Sequence, residues 1–217
     1  MRTILLAATM AATLPFISTA AQAQTPPATV PATASAPAPA ARPTLIRGKV
    51  TSLDGNVLTV ATREGGVAVV KLTPDWSVTE VKPVSPDAIQ KGSFIGTTEV
   101  DKPDGTGMSL EVHVFPPGVK MGEGHYPWDL KPGSNMTNGT IDNVVAGVSG
   151  RTVDVSYPGG VRHVEIPANI PIVQFGLGDK ALLKPGAGVF IGAMKTADGT
   201  FISNRVTTGA NGVNPPM

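Results

Sequence analysis

The chain has 217 residues, 17 Lys and Arg against 16 Asp and Glu, and a formal net charge of +1 at pH 7. That near-neutrality argues against the basic stripe of a general nucleic-acid binder and against a polybasic membrane patch. Cysteine is absent, which excludes disulfides, thiol nucleophiles, Cys-held zinc and iron–sulfur clusters. Charged residues make up only 15%, while 25 Gly and 21 Pro predict frequent turns and few long helices in one or two domains.

Met1 and Arg2 open the chain, an apolar stretch runs from Ile4 to Phe16, and a small-residue region ends in Ala21-Gln22-Ala23. This is the order of a secretory signal, residues 1–23, with cleavage expected after Ala23. The apolar run is too short, and too interrupted by Thr and Pro15, to cross a bilayer of about 30 Å. Residues 24–44 hold six prolines and seven alanines with Arg42 as their one charge, so they are expected to be a Pro/Ala-rich disordered tether. Export without cysteine suits the periplasm, and no membrane span is expected after cleavage.

From Leu45 onward short β-type runs alternate with turn clusters. The first half reads IRGKVTSLDG, NVLTVATREGG, VAVVKLTPD, SVTEVKPV, SFIGTTEVDKPDG and MSLEVHVF, and the second repeats the scheme from TNGTIDNVVAGVSG to TFISNRVT. Glu64-Gly65-Gly66-Val67 corresponds to Pro158-Gly159-Gly160-Val161, Phe94-Ile95-Gly96 to Phe190-Ile191-Gly192, and Asp104-Gly105-Thr106 to Asp198-Gly199-Thr200, at offsets of 94, 96 and 94 residues. The expected fold is all-β, with two tandem OB-like small β-barrels: residues 45–114, an inter-barrel segment 115–138, and residues 139–217. The paired glycines predict tight hairpins, and short helical turns are expected near Ser85–Gln90 and Asp179–Lys184. In MSLEVHV the period of two places Met108, Leu110, Val112 and Val114 on one face and Ser109, Glu111 and His113 on the other.

The run His113-Val-Phe-Pro-Pro-Gly, then Gly122-Glu-Gly-His-Tyr-Pro-Trp-Asp, Lys131-Pro-Gly-Ser-Asn-Met-Thr-Asn and the closing Val213-Asn-Pro-Pro-Met resembles a group of exported bacterial proteins with OB-like small barrels. The resemblance covers most of the chain after the signal. It implies export and the barrel fold, and some of those proteins carry a metal-transport label. It brings no catalytic residues.

The inter-barrel segment gathers the rare chemistry: His125, Tyr126 and Trp128, with His113 just before it. Loops that concentrate such residues on a rigid scaffold are where function concentrates. Tyr126, Trp128 and Asp129, with Trp76 of the first barrel, are the candidate ligand-binding residues. Tyr126 and Trp128 have a second reading as plugs of the seam between barrels, and Trp76 as the cover of a barrel end. His113, Met121, Glu123 and His125 are the candidate metal ligands, since thioether and imidazole suit copper and a carboxylate would complete a zinc-like site. Asn135 and Asn138, each followed by Thr two positions on, read as turn residues. There is no G-x-S-x-G elbow and no HExxH, so catalytic constellations lack their parts. The expectation is a non-enzymatic periplasmic binding or accessory protein using the groove between barrels, with an envelope polymer, a periplasmic protein or a small ligand as partner and no nucleic acid. A soft-metal (copper or zinc) binding or transport-accessory role is the alternative, and a purely structural module the second.

Overall fold

The computed structural model describes residues 43–217; the expected signal peptide and the tether to residue 42 lie outside the described residues. The alternating runs form twelve strands: β1 (Thr44–Asp54), β2 (Val57–Thr62), β3 (Val67–Pro83), β4 (Phe94–Asp101), β5 (Gly107–Val114), β6 (Gly124–Pro127), β7 (Ser134–Gly147), β8 (Gly150–Tyr157), β9 (Gly160–Pro167), β10 (Ile172–Gly178), β11 (Gly188–Lys195) and β12 (Phe201–Gly209). The period of two drives them: in β2, Leu58 and Val60 are fully buried while Val57 and Ala61 are exposed. Gly65 (φ 88°) and Gly159 (φ 114°) supply the left-handed backbone of the β2–β3 and β8–β9 hairpins.

The two expected helical turns are single 3₁₀ turns, Pro86–Ala88 and Lys180–Leu182. The side chains of Ser85 and Asp179 cap them, accepting from the N–H of Asp87 and Ala181. Each turn delivers one apolar side chain to a core, Ile89 and Leu183 respectively. Among the described residues, no helix is long and apolar enough to cross a membrane.

Five strands close a barrel: β1 pairs with β2, β2 with β3, β3 runs parallel to β12, β12 pairs with β11, and β11 returns to β1. Its interior holds Leu58, Val60, Val70, Trp76, Ile191 and Val206. Five further strands repeat the same order as a second ring, β7–β8–β9 with β5 parallel to β9 and β4 between β5 and β7. Its closing contact is only two residue pairs, Gly107↔Val164 and Met108↔Glu165, around Ile95, Val112, Ile141, Val155 and Ile166. Strand β10 stitches the rings into one sheet, antiparallel to the end of β3 and parallel to β5, and the described residues belong to one compact unit.

The expected succession of one barrel over 45–114 and another over 139–217 is therefore not how the strands assemble. Each ring takes three strands from one half of the chain and two from the other. The reason lies in β3. Its 17 residues reach about 55 Å when extended, so the strand runs on past its last pairing with β12, at Val81, and delivers β4 and β5 to the second ring. Strand β10 brings the chain back for β11 and β12.

A second expectation is also corrected. The β4–β5 register passes from Thr98↔Glu111 to Glu99↔Ser109, which leaves Leu110 as an extra, bulged residue. Val112 and Val114 lie in the core as read, but the bulge turns Ser109 to their side, where its hydroxyl meets Thr97 Oγ1 at 2.7 Å. Met108 and Leu110 are only half-buried, while Glu111 and His113 are buried on the other face.

Candidate functional site

Where the rings meet, the central segment, β3, β5, β10, β11 and β12 enclose a cavity of about 820 Å³. The side chains around it are mostly apolar, and aromatic rings dominate. Phe115 packs edge-on against Phe175 with centroids 4.9 Å apart, Tyr126 against Trp128 at 6.2 Å, and Trp128 leans on Phe190 at 6.4 Å. Met121, Met136 and Met217 fill between them. The mouth is open: Val119, Met121 and Leu177 line the cavity, and Leu177 is 96% solvent-exposed.

The wall behind Trp128 is held by Arg47. This guanidinium is buried in β1, forks onto Asp129 at 2.7 and 3.0 Å, and donates from Nε to the Met217 backbone oxygen at 2.6 Å. It also lies 5.1 Å from the Phe190 centroid and 5.9 Å from that of Trp128. One buried cation thus ties the central segment and the last residue onto the first barrel. Within the central segment Asn138 donates to Gly122 O at 2.9 Å and Tyr126 Oη at 2.7 Å. Burial pushes the Tyr126 phenol above its ordinary range, against the opposing hydrogen bond from Asn138. Asn135 and Asn138, read as turn residues, belong to β7 instead.

His113, 2% exposed, faces the cavity with its ring 5.2 Å from that of Phe175. Its Nε2 touches Glu111 Oε2 without the alignment of a hydrogen bond, and Thr98 Oγ1 donates to the other Glu111 oxygen.

His125 is elsewhere. The segment read as irregular contains β6, which pairs with β7 so that His125 opposes Thr137 while Tyr126 opposes Met136. Alternation along β6 sends Tyr126 to the cavity and His125 to the other face. There His125 Nδ1 meets Thr137 Oγ1 at 2.8 Å, its ring stacks on Tyr157 at 6.1 Å, and Glu99 Oε1 is 3.5 Å away. Glu99 is fully buried and accepts from Arg162 Nε at 2.6 Å and Thr137 Oγ1 at 3.1 Å. Burial pushes its carboxyl above the usual glutamate range, with the Arg162 guanidinium pulling the other way. A Cβ on Gly107 would sit 2.1 Å from Glu99 Oε2, so glycine there makes room for the carboxylate.

Of the expected ligand-binding residues, Tyr126 and Trp128 line the cavity, while Asp129 supports it from behind. Trp76 does not join them. It is 5% exposed in the first barrel core, its Nε1 donates to Asn56 Oδ1 at 3.4 Å, and Lys180 Nζ lies 4.2 Å from its ring centroid. Of the expected metal ligands, His113 and Met121 reach the cavity, His125 faces away, and Glu123 is exposed on the loop. Among the described residues no group of three or more His, Cys, Asp or Glu is arranged to hold a metal ion, so His113, Glu123 and His125 do not form one cluster.

Sequence reasoning missed Phe115, Phe175, Phe190, Arg205 and Met217. The phenylalanines and Arg205 sit in or beside ordinary strand runs and gain their role only where two outer strand faces converge. For Met217 a signal existed, since the closing Val213-Asn-Pro-Pro-Met stands outside the strand rhythm. No family model matches the chain, and no curated protein or solved structure does.

Proposed function

We propose that this chain is a non-enzymatic binding protein of the periplasm, exported by its N-terminal signal, which holds an apolar small molecule in the cavity between two OB-like rings that arose by duplication. The cavity carries the reading. Ligand sites are typically concave, mostly apolar and about 300–1,000 Å³, and this one, at about 820 Å³, is walled by Phe115, Tyr126, Trp128, Phe175 and Phe190. Arg47 and Asn138 hold the central segment through buried and part-buried hydrogen bonds, so the shape is preorganised and little ordering cost opposes binding. An envelope polymer rich in hydroxyls would leave those groups unpaired against the aromatic walls, which favours an apolar ligand over a sugar chain.

The test is titration of the chain with the neutral dye N-phenyl-1-naphthylamine, read by dye emission and by tryptophan quenching. Binding is expected at one site. Thr207→Trp places bulk on the cavity wall beside Phe190, its neighbour on the adjacent strand, and is expected to abolish it while circular dichroism stays unchanged. Absence of binding in the parent chain would leave the cavity a packing seam and the protein a structural module.

The second reading, soft-metal capture with copper ahead of zinc, rests on one observation: the thioethers of Met121, Met136 and Met217 line the same cavity as the His113 ring. Titration with Cu(I), Cu(II) and Zn(II), beside a Met121→Ala, His113→Ala variant, separates it. Binding of a metal that the variant loses supports this reading; dye binding without metal binding supports the first.

A further inference from the structure

The apolar cavity has one charged side chain at its edge. Among the residues lining it, Arg205 is the one whose side chain carries a permanent charge, and no Asp or Glu side chain lines it among the described residues. His113, the one other ionisable base there, already faces Glu111. Arg205 has no ion-pair partner among the described residues. Its recorded side-chain contact is Nη1 to Met121 Sδ at 3.4 Å, a weak acceptor that leaves the guanidinium's donors available.

The backbone sets this arginine in place. The register of β12 against β3 slips between Ser203 and Arg205, from Ser203↔Leu72 to Arg205↔Ser77. The Ser203 hydroxyl anchors the irregularity, accepting from Arg205 N–H at 3.2 Å and lying 3.0 Å from the Gly192 carbonyl. Irregularities of this kind re-aim a side chain next to functional sites. Arg205 therefore stands exposed at the cavity edge, beside Met121.

Resting on the cavity reading above, we infer that the ligand is an amphipathic anion: an apolar chain or ring inside the cavity and a carboxylate or sulfonate head at Arg205. A guanidinium matches such a planar or forked oxygen head with two donors at once. An ammonium head would meet like charge at the mouth, and a neutral head would forgo the pairing.

The full chain is titrated calorimetrically at pH 7 with decanoate, decan-1-ol and decylamine, which share one apolar body, and with the neutral dye as a cavity control. Decanoate is expected to bind about fivefold more tightly than decan-1-ol, the gain an accessible charge pair gives, and decylamine more weakly than either. Arg205→Gln is expected to bring decanoate down to the level of decan-1-ol, with a smaller effect on decan-1-ol and the dye than on decanoate, and Arg205→Lys to restore part of the difference. Added salt should weaken decanoate alone. Equal affinities for acid and alcohol, tightest binding of the amine, or an Arg205→Gln variant with undiminished decanoate binding would overturn the inference and leave the cavity reading standing. Dye binding without binding of any decyl compound would overturn it as well. If neither the dye nor any decyl compound binds, the cavity reading itself fails.

Discussion

Cutting the chain at the exposed turn before Gly118 separates β1–β5 from β6–β12 without removing any strand. A protease site inserted between Pro117 and Gly118 does this in the folded protein. The interleaved rings predict that the two pieces stay together. Six register pairs join β1 to β11, eight join β3 to β12, and seven join β4 to β7 across the cut. The first-barrel core takes Leu183, Val189, Ile191 and Val206 from the second piece. At about 1.5–3 kcal/mol for each buried aliphatic side chain, those four amount to roughly 6–12 kcal/mol, comparable to the whole stability of a domain. The cleaved protein should therefore elute from size exclusion as the uncut chain does and separate only in denaturant. Pieces that part in native buffer, each folded, would show the rings to be sequential and refute the strand exchange.

Three further outcomes follow from the buried polar groups. Gly107→Ala should lose roughly 2–4 kcal/mol in a urea melt, because its Cβ would collide with Glu99 Oε2, and Glu99→Ala should suppress most of that loss; an unsuppressed loss would point to the backbone instead. Because the Glu99 carboxyl is raised in the folded state, mainly by burial, the native protein holds that proton more tightly than the unfolded chain. Its contribution to stability is then fully present below the ordinary glutamate range, near pH 4.3, and declines as pH rises through the folded value. Melting temperatures of the parent minus Glu99→Gln, measured from pH 4 to 8, should fall with pH, and a flat difference would remove the assignment. Asp129→Ala should cost about 1–3 kcal/mol, since it strips the fork from buried Arg47 while Asp129 itself is 56% exposed. It should also weaken dye binding, because Trp128 loses its backing; intact dye affinity would detach Arg47 from the site.

Much of the local structure could be read from the chain. The strand run holding Leu58 and Val60, the Gly65 and Gly159 turns, and the short helical turns after Ser85 and Asp179 all depend on neighbours a few residues away, and each appears where the pattern puts it. The exchange of β4–β5 with β11–β12 could not be read. The two Phe-Ile-Gly runs carry the same apolar alternation, so either can complete either ring, and only the reach of β3 beyond its pairing with β12 decides. The face of Ser109 was lost for a related reason: the bulge at Leu110 is set by pairing with β4, not by the residues of β5.

The candidate site divides along the same line. Tyr126 and Trp128 were visible as rare aromatics in a distinctive segment, and they line the cavity. His125, adjacent to Tyr126, was grouped with Met121 because both stand on one loop. Four residues of strand pairing in β6 put it on the opposite face, against Thr137 and Glu99. Phe175 reaches the site from the stitching strand β10 and Phe190 from β11 of the first ring, a convergence that no local period encodes.

The most direct measurement is fluorescence of a Trp76→Phe protein, in which Trp128 is the one remaining tryptophan, during titration with decanoate. Trp76 is sealed in the first barrel core and Trp128 lines the cavity, so a saturable change in emission that Thr207→Trp blocks the ligand from producing is the predicted result. Because Thr207→Trp adds its own fluorophore, the blocked variant is read by calorimetric heat. Decanoate binding that leaves Trp128 emission unchanged, or that survives Thr207→Trp, would place the ligand elsewhere and contradict the account.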